Sequence, residues 1–313
     1  MDKRTVTGIL IALLLAAAAG YFILCAKVTN SCVFPVMGTI CECRIDMPER
    51  KFKAALAEIR SAFDGVLKIA NLHDKTSELS RLNASAHIKP FVCSEELYYL
   101  LTQSREAYRI SEKRFDISVK PLMDLWGFYR KQGKTPSQQQ INDAKILCGL
   151  DKVVFNDAER TVFFPEKGMA FELGGIAKGY ALDAAVKRLA PFSRHISRGT
   201  INLGGNIFLL GEKESYRVGI KDPSDPQKIK EVITVSSQHA VSSSGDYERF
   251  VLLDGKKYGH IIDPASGTPA LRNYAATAVA KTGIASDWMS TVLFLGGEDF
   301  KNKLNCQSKF VYK

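Results

Sequence analysis

Seven cysteines occur without a single Cys-x-x-Cys pair: Cys25, Cys32, Cys41, Cys43, Cys93, Cys148 and Cys306. Zinc ribbons and thioredoxin-type dithiols use that spacing, so its absence argues against both. Disulfides stay permitted outside the cytoplasm, with their connectivity open. The five histidines, His73, His87, His195, His239 and His260, form no His-Glu-x-x-His pattern, which argues against a helical zinc site. No period repeats, no low-complexity linker divides the chain, and no nucleic-acid-binding motif accompanies the net charge of +10. That charge is spread rather than gathered in one block. Such a field suits an anionic lipid surface or an anionic substrate.

Charge is also missing from residues 6–25, directly behind Lys3 and Arg4. A helix of that length spans roughly 30 Å, the thickness of the bilayer hydrocarbon, and the basic pair would stay in the cytoplasm. A cleaved secretory signal has the same basic start, with residues 16–20 as the cleavage region. Lipid modification of Cys25 is disfavoured by the bulky Phe22-Ile23-Leu24 before it. In each case residues 1–27 are a membrane anchor or signal segment and residues 28–313 an exported domain; the uncleaved anchor is the preferred reading.

The chain is 46% hydrophobic and 24% charged, a balance that allows an ordinary globular core. From residue 33 it reads as extended, alternating from Ile40 onward and interrupted by Met37-Gly38-Thr39. Pro48 and Glu49 open an amphipathic helix with Phe52, Leu56, Ile59, Phe63 and Leu67 along one stripe. Ser94 with Glu95 and Glu96 begins another, and Ser137-Gln-Gln-Gln140 is a capping box. A hairpin is expected around residues 156–160, strands at 201–208, 216–220, 232–235 and 250–253, and a helix at 285–295 closed by Gly296. One mixed α+β domain from about residue 28 onward accounts for this order.

Met169-Ala-Phe-Glu-Leu-Gly-Gly-Ile-Ala-Lys-Gly-Tyr-Ala-Leu-Asp183 concentrates the candidate chemistry. It is predicted to run from a short apolar strand through Gly174 and Gly175 into a helix stopped by Pro191. The glycines let a ligand approach the backbone, and the free amides of a helix N-terminus favour a phosphate, with Lys178 on the first turn. A plain strand-to-helix turn is the alternative. The stretch is neither Gly-x-Gly-x-x-Gly nor a P-loop, since Gly179 follows Lys178 where Ser or Thr is needed. Asp287 and Thr291, four apart on one helix face, are hard-oxygen donors suited to Mg²⁺ held partly by substrate phosphate; Asp287 alone reads as a helix N-terminal charge. His260 and Asp263 fall at a strand end, His260 as a general base or a strand-end hydrogen bonder. His73 is a surface residue or a ligand contact in a polar turn. Trp126 and Phe128, beside Asp116, form either a wall for a flat ring or part of the core.

Eight stretches fall in the order found in one family: Met37-Gly-Thr39, Ser77-Glu-Leu-Ser-Arg-Leu-Asn83, Phe115-Asp116 through Leu125-Trp-Gly-Phe128, Leu173-Gly-Gly-Ile-Ala-Lys-Gly-Tyr-Ala181, Asn202-Leu-Gly-Gly-Asn206, Ser243-Ser-Gly-Asp-Tyr-Glu248, His260-Ile-Ile-Asp-Pro264, and Asp287 with Thr291. The chain after the anchor thus resembles the ApbE family, the FAD:protein FMN transferases. The resemblance implies an α+β catalytic domain at the bacterial inner membrane, on its periplasmic or extracytoplasmic side. It would use Mg²⁺ to split the FAD pyrophosphate and attach FMN through a phosphoester to a threonine of a client protein, releasing AMP. Family clients are subunits of sodium-pumping and related electron-transfer complexes. The implied metal ligands are Gly175, through its carbonyl, Asp287 and Thr291. The implied flavin and nucleotide contacts are Met37, His73, Arg114, Phe115, Asp116, Glu172, Lys178 and Ile261, with Glu172 standing where many relatives have Asp. His260 is the candidate base for the client hydroxyl, and Asp263 its reserve or its orienting partner. With water in place of threonine the chain would be an FAD pyrophosphatase giving FMN and AMP; with the pocket but no chemistry, a flavin-binding protein.

Overall fold

Met37 and Gly38 turn the first extended segment into two strands. Their φ angles are 51° and 69°, and two successive positive values are what a two-residue hairpin turn requires. The structure, a computed structural model, describes residue 2 and residues 28–129, 134–212, 215–225, 227–246, 250–304 and 306–313. Among them β1 (Val28–Val36) and β2 (Thr39–Met47) form this hairpin. α1 (Glu49–Ala70) lays Phe52, Ile59, Phe63 and Val66 over its inner face, where Phe34, Cys41, Cys43 and Ile45 are buried.

α2 (Glu78–Ser85) and α3 (Glu95–Ile110) follow, each begun by a serine, Ser77 or Ser94, whose hydroxyl takes an amide of the first turn. β3 (Phe91–Val92) joins β4 (Val154–Asn156) and β5 (Thr161–Phe163) in a small antiparallel sheet. Between them lie α4 (Lys120–Leu125) and α5 (Gln138–Ile146), the latter opened by the expected capping box of Ser137 and Gln140. α6 (Ala177–Arg188) leads to β6 (Arg198–Leu203), β7 (Asn206–Gly211), β8 (Ser215–Lys221), β9 (Ile229–Ser236) and β10 (His239–Ser244). Two short ribbons follow, β11 (Phe250–Leu253) with β12 (Lys256–Gly259) and β13 (Ile262–Asp263) with β14 (Thr268–Pro269). β15 (Tyr274–Ala280), α7 (Gly283–Gly296) and β16 (Gln307–Tyr312) complete the order.

The main sheet runs β1-β2-β6-β7-β10-β15-β16 with every neighbouring pair antiparallel. Alternate residues of its strands serve two layers, as the pleat demands. Phe208, Leu210 and Ala240 join the core under α1 and α6, while Leu209, Val241 and Val279 face Tyr216, Val218 and Val235 of the β8–β9 hairpin on the opposite side. Beneath α7 the inward positions are small: Ala276 and Ala278 share a core with Ile284, Trp288 and Val292, and Ser242 and Ser244 bond to serines of the helix. The mixed α+β architecture expected from the sequence is present.

Several local expectations change. Residues 201–208 are two strands, because Gly204 and Gly205, at φ 59° and 93°, reverse the chain between β6 and β7. The predicted strand ahead of α6 is not one. Met169, Phe171 and Leu173 are buried in alternation, but the backbone there is held by the Asn83 side chain, at 2.7 and 2.8 Å to Phe171, and Glu172 N donates to Ile117 O at 2.7 Å. Trp126 is core, 3% exposed, with its indole N–H on Gly267 O at 3.0 Å and Tyr258 5.1 Å away between ring centres. Among the described residues all six cysteines are free thiols, and no helix is long and apolar enough to cross a membrane. The charge-free run at residues 6–25, with Cys25, and the Tyr247-Glu248 end of one motif lie outside the described residues.

Candidate active site

α6 and α7 cross backbone to backbone. A Cβ on Gly179 would stand 2.2 Å from Gly283 O, and one on Gly283 would stand 2.3 Å from Gly179 O, so only glycine fits either position. At this crossing each helix supplies a carboxylate to the other's N-terminal amides, which lack partners within their own helix. Asp183 of α6 accepts from Gly283 N at 2.6 Å and Ile284 N at 2.9 Å; Asp287 of α7 accepts from Gly179 N at 2.8 Å. Asp287 is only 4% exposed. Burial raises the pKa of both acids above the ordinary carboxylate range. For Asp287 the Lys178 charge, then Asn206 and the Gly179 amide, oppose that rise; for Asp183 the Ile284 and Gly283 amides do.

One turn along α7, Thr291 meets the glycine pair that precedes α6. A Cβ on Gly175 would lie 3.7 Å from Thr291 Oγ1 and 3.1 Å from the Phe115 ring, whose other neighbour is Trp288 at 6.5 Å between centres. β10 fixes this part of the helix through hydroxyl pairs. Ser242 lies 2.8 Å from Ser286, and Ser244 lies 2.8 Å from Ser290 and 3.4 Å from Thr291. Ser290 donates its own proton to Asp287 O, at 2.8 Å. Ser244 must then donate to Ser290, which leaves it the acceptor for Thr291 and turns the Thr291 lone pairs away from the strand.

Lys178, on the first turn of α6, donates to Asn206 Oδ1 at 3.3 Å. Asn206 follows the Gly204-Gly205 turn, and that turn abuts the first hairpin, since a Cβ on Gly204 would come within 2.4 Å of Thr39 Oγ1. Met37, at the tip of that hairpin, is half-buried between the two main cores. Phe115, Gly175 and Thr291 therefore approach one another directly, Asp287 lies one turn before Thr291 on the same helix, and the Lys178 charge acts on Asp287, with the Met37 turn alongside. Glu172 folds back onto Gly174 N at 2.9 Å, beside the same turn.

His260 follows β12 directly and is half-buried. The preceding Gly259 packs so tightly on Asp246, two residues past Ser244, that a Cβ there would stand 2.8 Å from Asp246 Cβ. Ile261 packs on the larger core, and its carbonyl takes Ala270 N at 2.8 Å. The remaining expected residues have engagements of their own. Asp263 accepts from Ala265 N at 3.0 Å and faces Arg272 at 3.9 Å. Asp116 accepts from both Ser118 N and Ser118 Oγ, at 2.8 and 2.6 Å, and burial raises its pKa against those bonds. The Arg114 guanidinium lies over Phe300, 5.2 Å from its ring centre. His73 is exposed and edge-on to Tyr129 at 5.9 Å. Asp183, Asn206 and Ser244 had no assigned role in the sequence reading. A carboxylate inside an otherwise apolar helical stretch was the available signal for Asp183, and membership of a quoted motif the signal for the other two.

One carboxylate and one hydroxyl, beside a glycine whose backbone is open, fit a hard divalent cation that keeps substrate oxygens in its coordination sphere. Among the described residues no cluster of three His, Cys, Asp or Glu could hold a metal alone. Residues 37–309 match the model of the ApbE family. The chain is 30% identical over 286 residues to the FAD:protein FMN transferase of Escherichia coli K12, covering 88% of this chain and 81% of that one. Its structure resembles that of the ApbE protein from Thermotoga maritima with a TM-score of 0.83 at 27% identity, covering 91% of this chain and 94% of that one. The flavin transferase ApbE from Vibrio cholerae shares the fold at a TM-score of 0.77 and 23% identity, covering 92% and 94%.

Proposed function

The chain belongs to the ApbE family, and on that premise we propose that it is an FAD:protein FMN transferase working at the α6–α7 crossing. It joins the FMN phosphate of FAD to a threonine hydroxyl of a client protein and releases AMP. The observation that carries this reading is the meeting of Lys178, Asp287, Thr291 and the Gly175 backbone at one helix N-terminus, where a diphosphate and its cation have complementary partners. Asp287, Thr291 and the Gly175 carbonyl would hold Mg²⁺, which supplies neutralisation of charge on the diphosphate. Lys178 steadies the oxygens as the bond to the AMP phosphate lengthens. Met37, Phe115, Glu172 and Ile261 would contact the flavin and the nucleotide. His260 takes the proton from the client threonine as its oxygen attacks phosphorus, and Asp263 orients the turn that carries it.

The anchor reading of residues 6–25 places this chemistry outside the cytoplasmic membrane, where client subunits of sodium-pumping or related electron-transfer complexes expose their acceptor threonines. Incubating the full chain with FAD, Mg²⁺ and a candidate client, then weighing the client, tests the activity. A gain of one FMN less water is expected, and it should vanish with EDTA. FAD consumed to FMN and AMP with no mass added to any client would replace the transferase by a pyrophosphatase.

A further inference from the structure

Three of the six described thiols share one face of the first hairpin. β1 and β2 pair with Cys32 directly opposite Cys43 and Phe34 opposite Cys41, so all four side chains enter the same core under α1. Cys41 and Cys43 are fully buried, with their sulfurs 3.8 Å apart, and Cys32 is half-buried at the rim of the cluster. Sulfur contact does not by itself choose a bond. Two positions apart on one strand, the Cα atoms of Cys41 and Cys43 stand about 6.4–6.8 Å from each other, the upper limit of what a disulfide spans. Directly opposite residues of an antiparallel pair stand about 4.5–5.5 Å apart, well inside that span. Chain geometry therefore favours Cys32 with Cys43, although the Cys43 thiol rests on Cys41 while both are reduced.

The two sulfurs differ in what they can start. The Cys41 thiol bonded to it, together with burial, raises the pKa of Cys43 far above the ordinary thiol value, so Cys43 initiates no exchange. Cys32 is partly open to solvent. The Arg60 guanidinium, which also covers the Phe34 ring at 4.0 Å, donates to the Cys32 sulfur at 3.6 Å and keeps a cation beside the anion that attacks a disulfide. We propose that Cys32 and Cys43 close into a cross-strand disulfide when the chain meets a disulfide oxidant. The Cys32 sulfur attacks the S–S bond of the oxidant, forming a mixed disulfide and releasing one oxidant thiol; the Cys43 sulfur then displaces the second. Two thiols of the chain are oxidised, one disulfide of the oxidant is reduced to two thiols, and each released thiol carries away one proton. The product staples a vulnerable edge. β1 is an outer strand of the main sheet, paired with β2 alone, and its nine residues carry no charge, whereas exposed edges are commonly guarded by charged side chains. The inference is independent of the transferase reading.

The test treats the folded full chain with oxidised glutathione, blocks the remaining thiols by alkylation, and maps the tryptic peptide of residues 28–44, which holds all three cysteines. Wild type should yield this peptide lighter by two hydrogens, with a single alkyl group, on Cys41. Cys41→Ala should yield it closed as well, and Cys32→Ser and Cys43→Ala should yield it open. The oxidised wild type should melt about 5 °C above the reduced chain, and dithiothreitol should reverse the gain. Should either core variant fail to fold, the fragmentation spectrum of the wild-type peptide, which locates the alkyl group, decides alone. An alkyl group on Cys32 or Cys43, a Cys32 left joined to glutathione, or a Cys32 joined to Cys25 overturns the pairing. A closed peptide in a chain that melts no higher than the reduced one overturns the staple.

Discussion

At the crossing of α6 and α7, Asp287 is buried and Asp183 half-buried, and both accept from backbone amides of the other helix, whereas beside α3 Asp151 and Asp157 lie at the surface and are held by cations and phenols. Asp151 pairs with Lys113 at 2.7 Å and Tyr108 at 2.8 Å; Asp157 pairs with Arg105 at 2.7 Å and Tyr98 at 2.6 Å. The surface acids have pKa values lowered by these bonds, the interior ones values raised by burial. Exposed ion pairs contribute little because water screens them and long side chains must be ordered. Interior carboxylates far from sufficient positive charge disfavour the folded state when ionised. The fold keeps two of them where helix N-termini meet, and a cation there would satisfy Asp287. The contrast separates acids that tie down a surface from acids that wait for a ligand.

Asp287→Asn gives the largest expected effect. The side-chain oxygen can still cap Gly179 N, so folding should be unchanged or slightly firmer, while loss of the charged ligand should cut Mg²⁺-dependent transfer by about 10³-fold or more. Calorimetric Mg²⁺ titration and melting curves separate the two consequences, and Mg²⁺ affinity equal to wild type would remove Asp287 from the cation site. Next comes His260→Ala, expected to retain FAD binding and lose about 10²- to 10⁴-fold in client flavinylation, with partial recovery at high pH. An unchanged transfer rate would take His260 out of the chemistry.

Smaller effects compare structural roles. Asp183→Ala leaves Gly283 N and Ile284 N without their carboxylate and should cost about 1–3 kcal/mol by denaturant unfolding, while Asp157→Ala should leave the midpoint unmoved within error. A larger loss at the surface site would invert the comparison. Ser244→Ala should weaken Mn²⁺ binding, read by electron paramagnetic resonance, by about 10-fold, the usual worth of a partner that orients a metal ligand. Ser242→Ala removes the same kind of hydroxyl pair one turn away from Thr291 and is the matched control; equal weakening in both variants would reduce the Ser244 contact to packing.

Much of this contrast was hidden in the sequence for a physical reason. Local signals survived folding: the serine caps, the capping box, the α1 stripe and the Asp287–Thr291 spacing all depend on neighbours within four residues. β10 and β15 did not stand out, because Ser242, Ser244, Ala276 and Ala278 have little intrinsic preference for strands and are small to admit α7. Of the site, the glycine turn, Lys178, Asp287 and Thr291 could be read from residue type and spacing. The reciprocal caps could not, since Asp183 and Gly283 are a hundred residues apart. The apolar alternation at residues 169–173 misled because it reports burial, while strand pairing depends on where the backbone hydrogen bonds go, here to Asn83 and Ile117.

The finest prediction concerns pH. A carboxyl whose pKa rises on folding, as that of Asp183 does, binds more protons in the folded chain than in the unfolded one just above the ordinary carboxylate value of 3.8. Its contribution is therefore most favourable in acid and diminishes as pH rises through that window. Asp151 behaves oppositely. Its lowered pKa makes its contribution complete above 3.8 and lost as pH falls toward the folded value. Melting temperatures of wild type, Asp183→Asn and Asp151→Asn, taken in EDTA from pH 3 to 7, should give two wild-type-minus-variant curves of opposite slope. The Asp183 curve should fall and the Asp151 curve should rise toward neutrality. Both are expected to be shallow, the Asp151 curve more so in high salt, because its partners are exposed and screened while those of Asp183 are not. Curves of the same sign would mean that the amides of α7 outweigh the cost of burying Asp183, and that the crossing is a stabilising clamp even without its ligand.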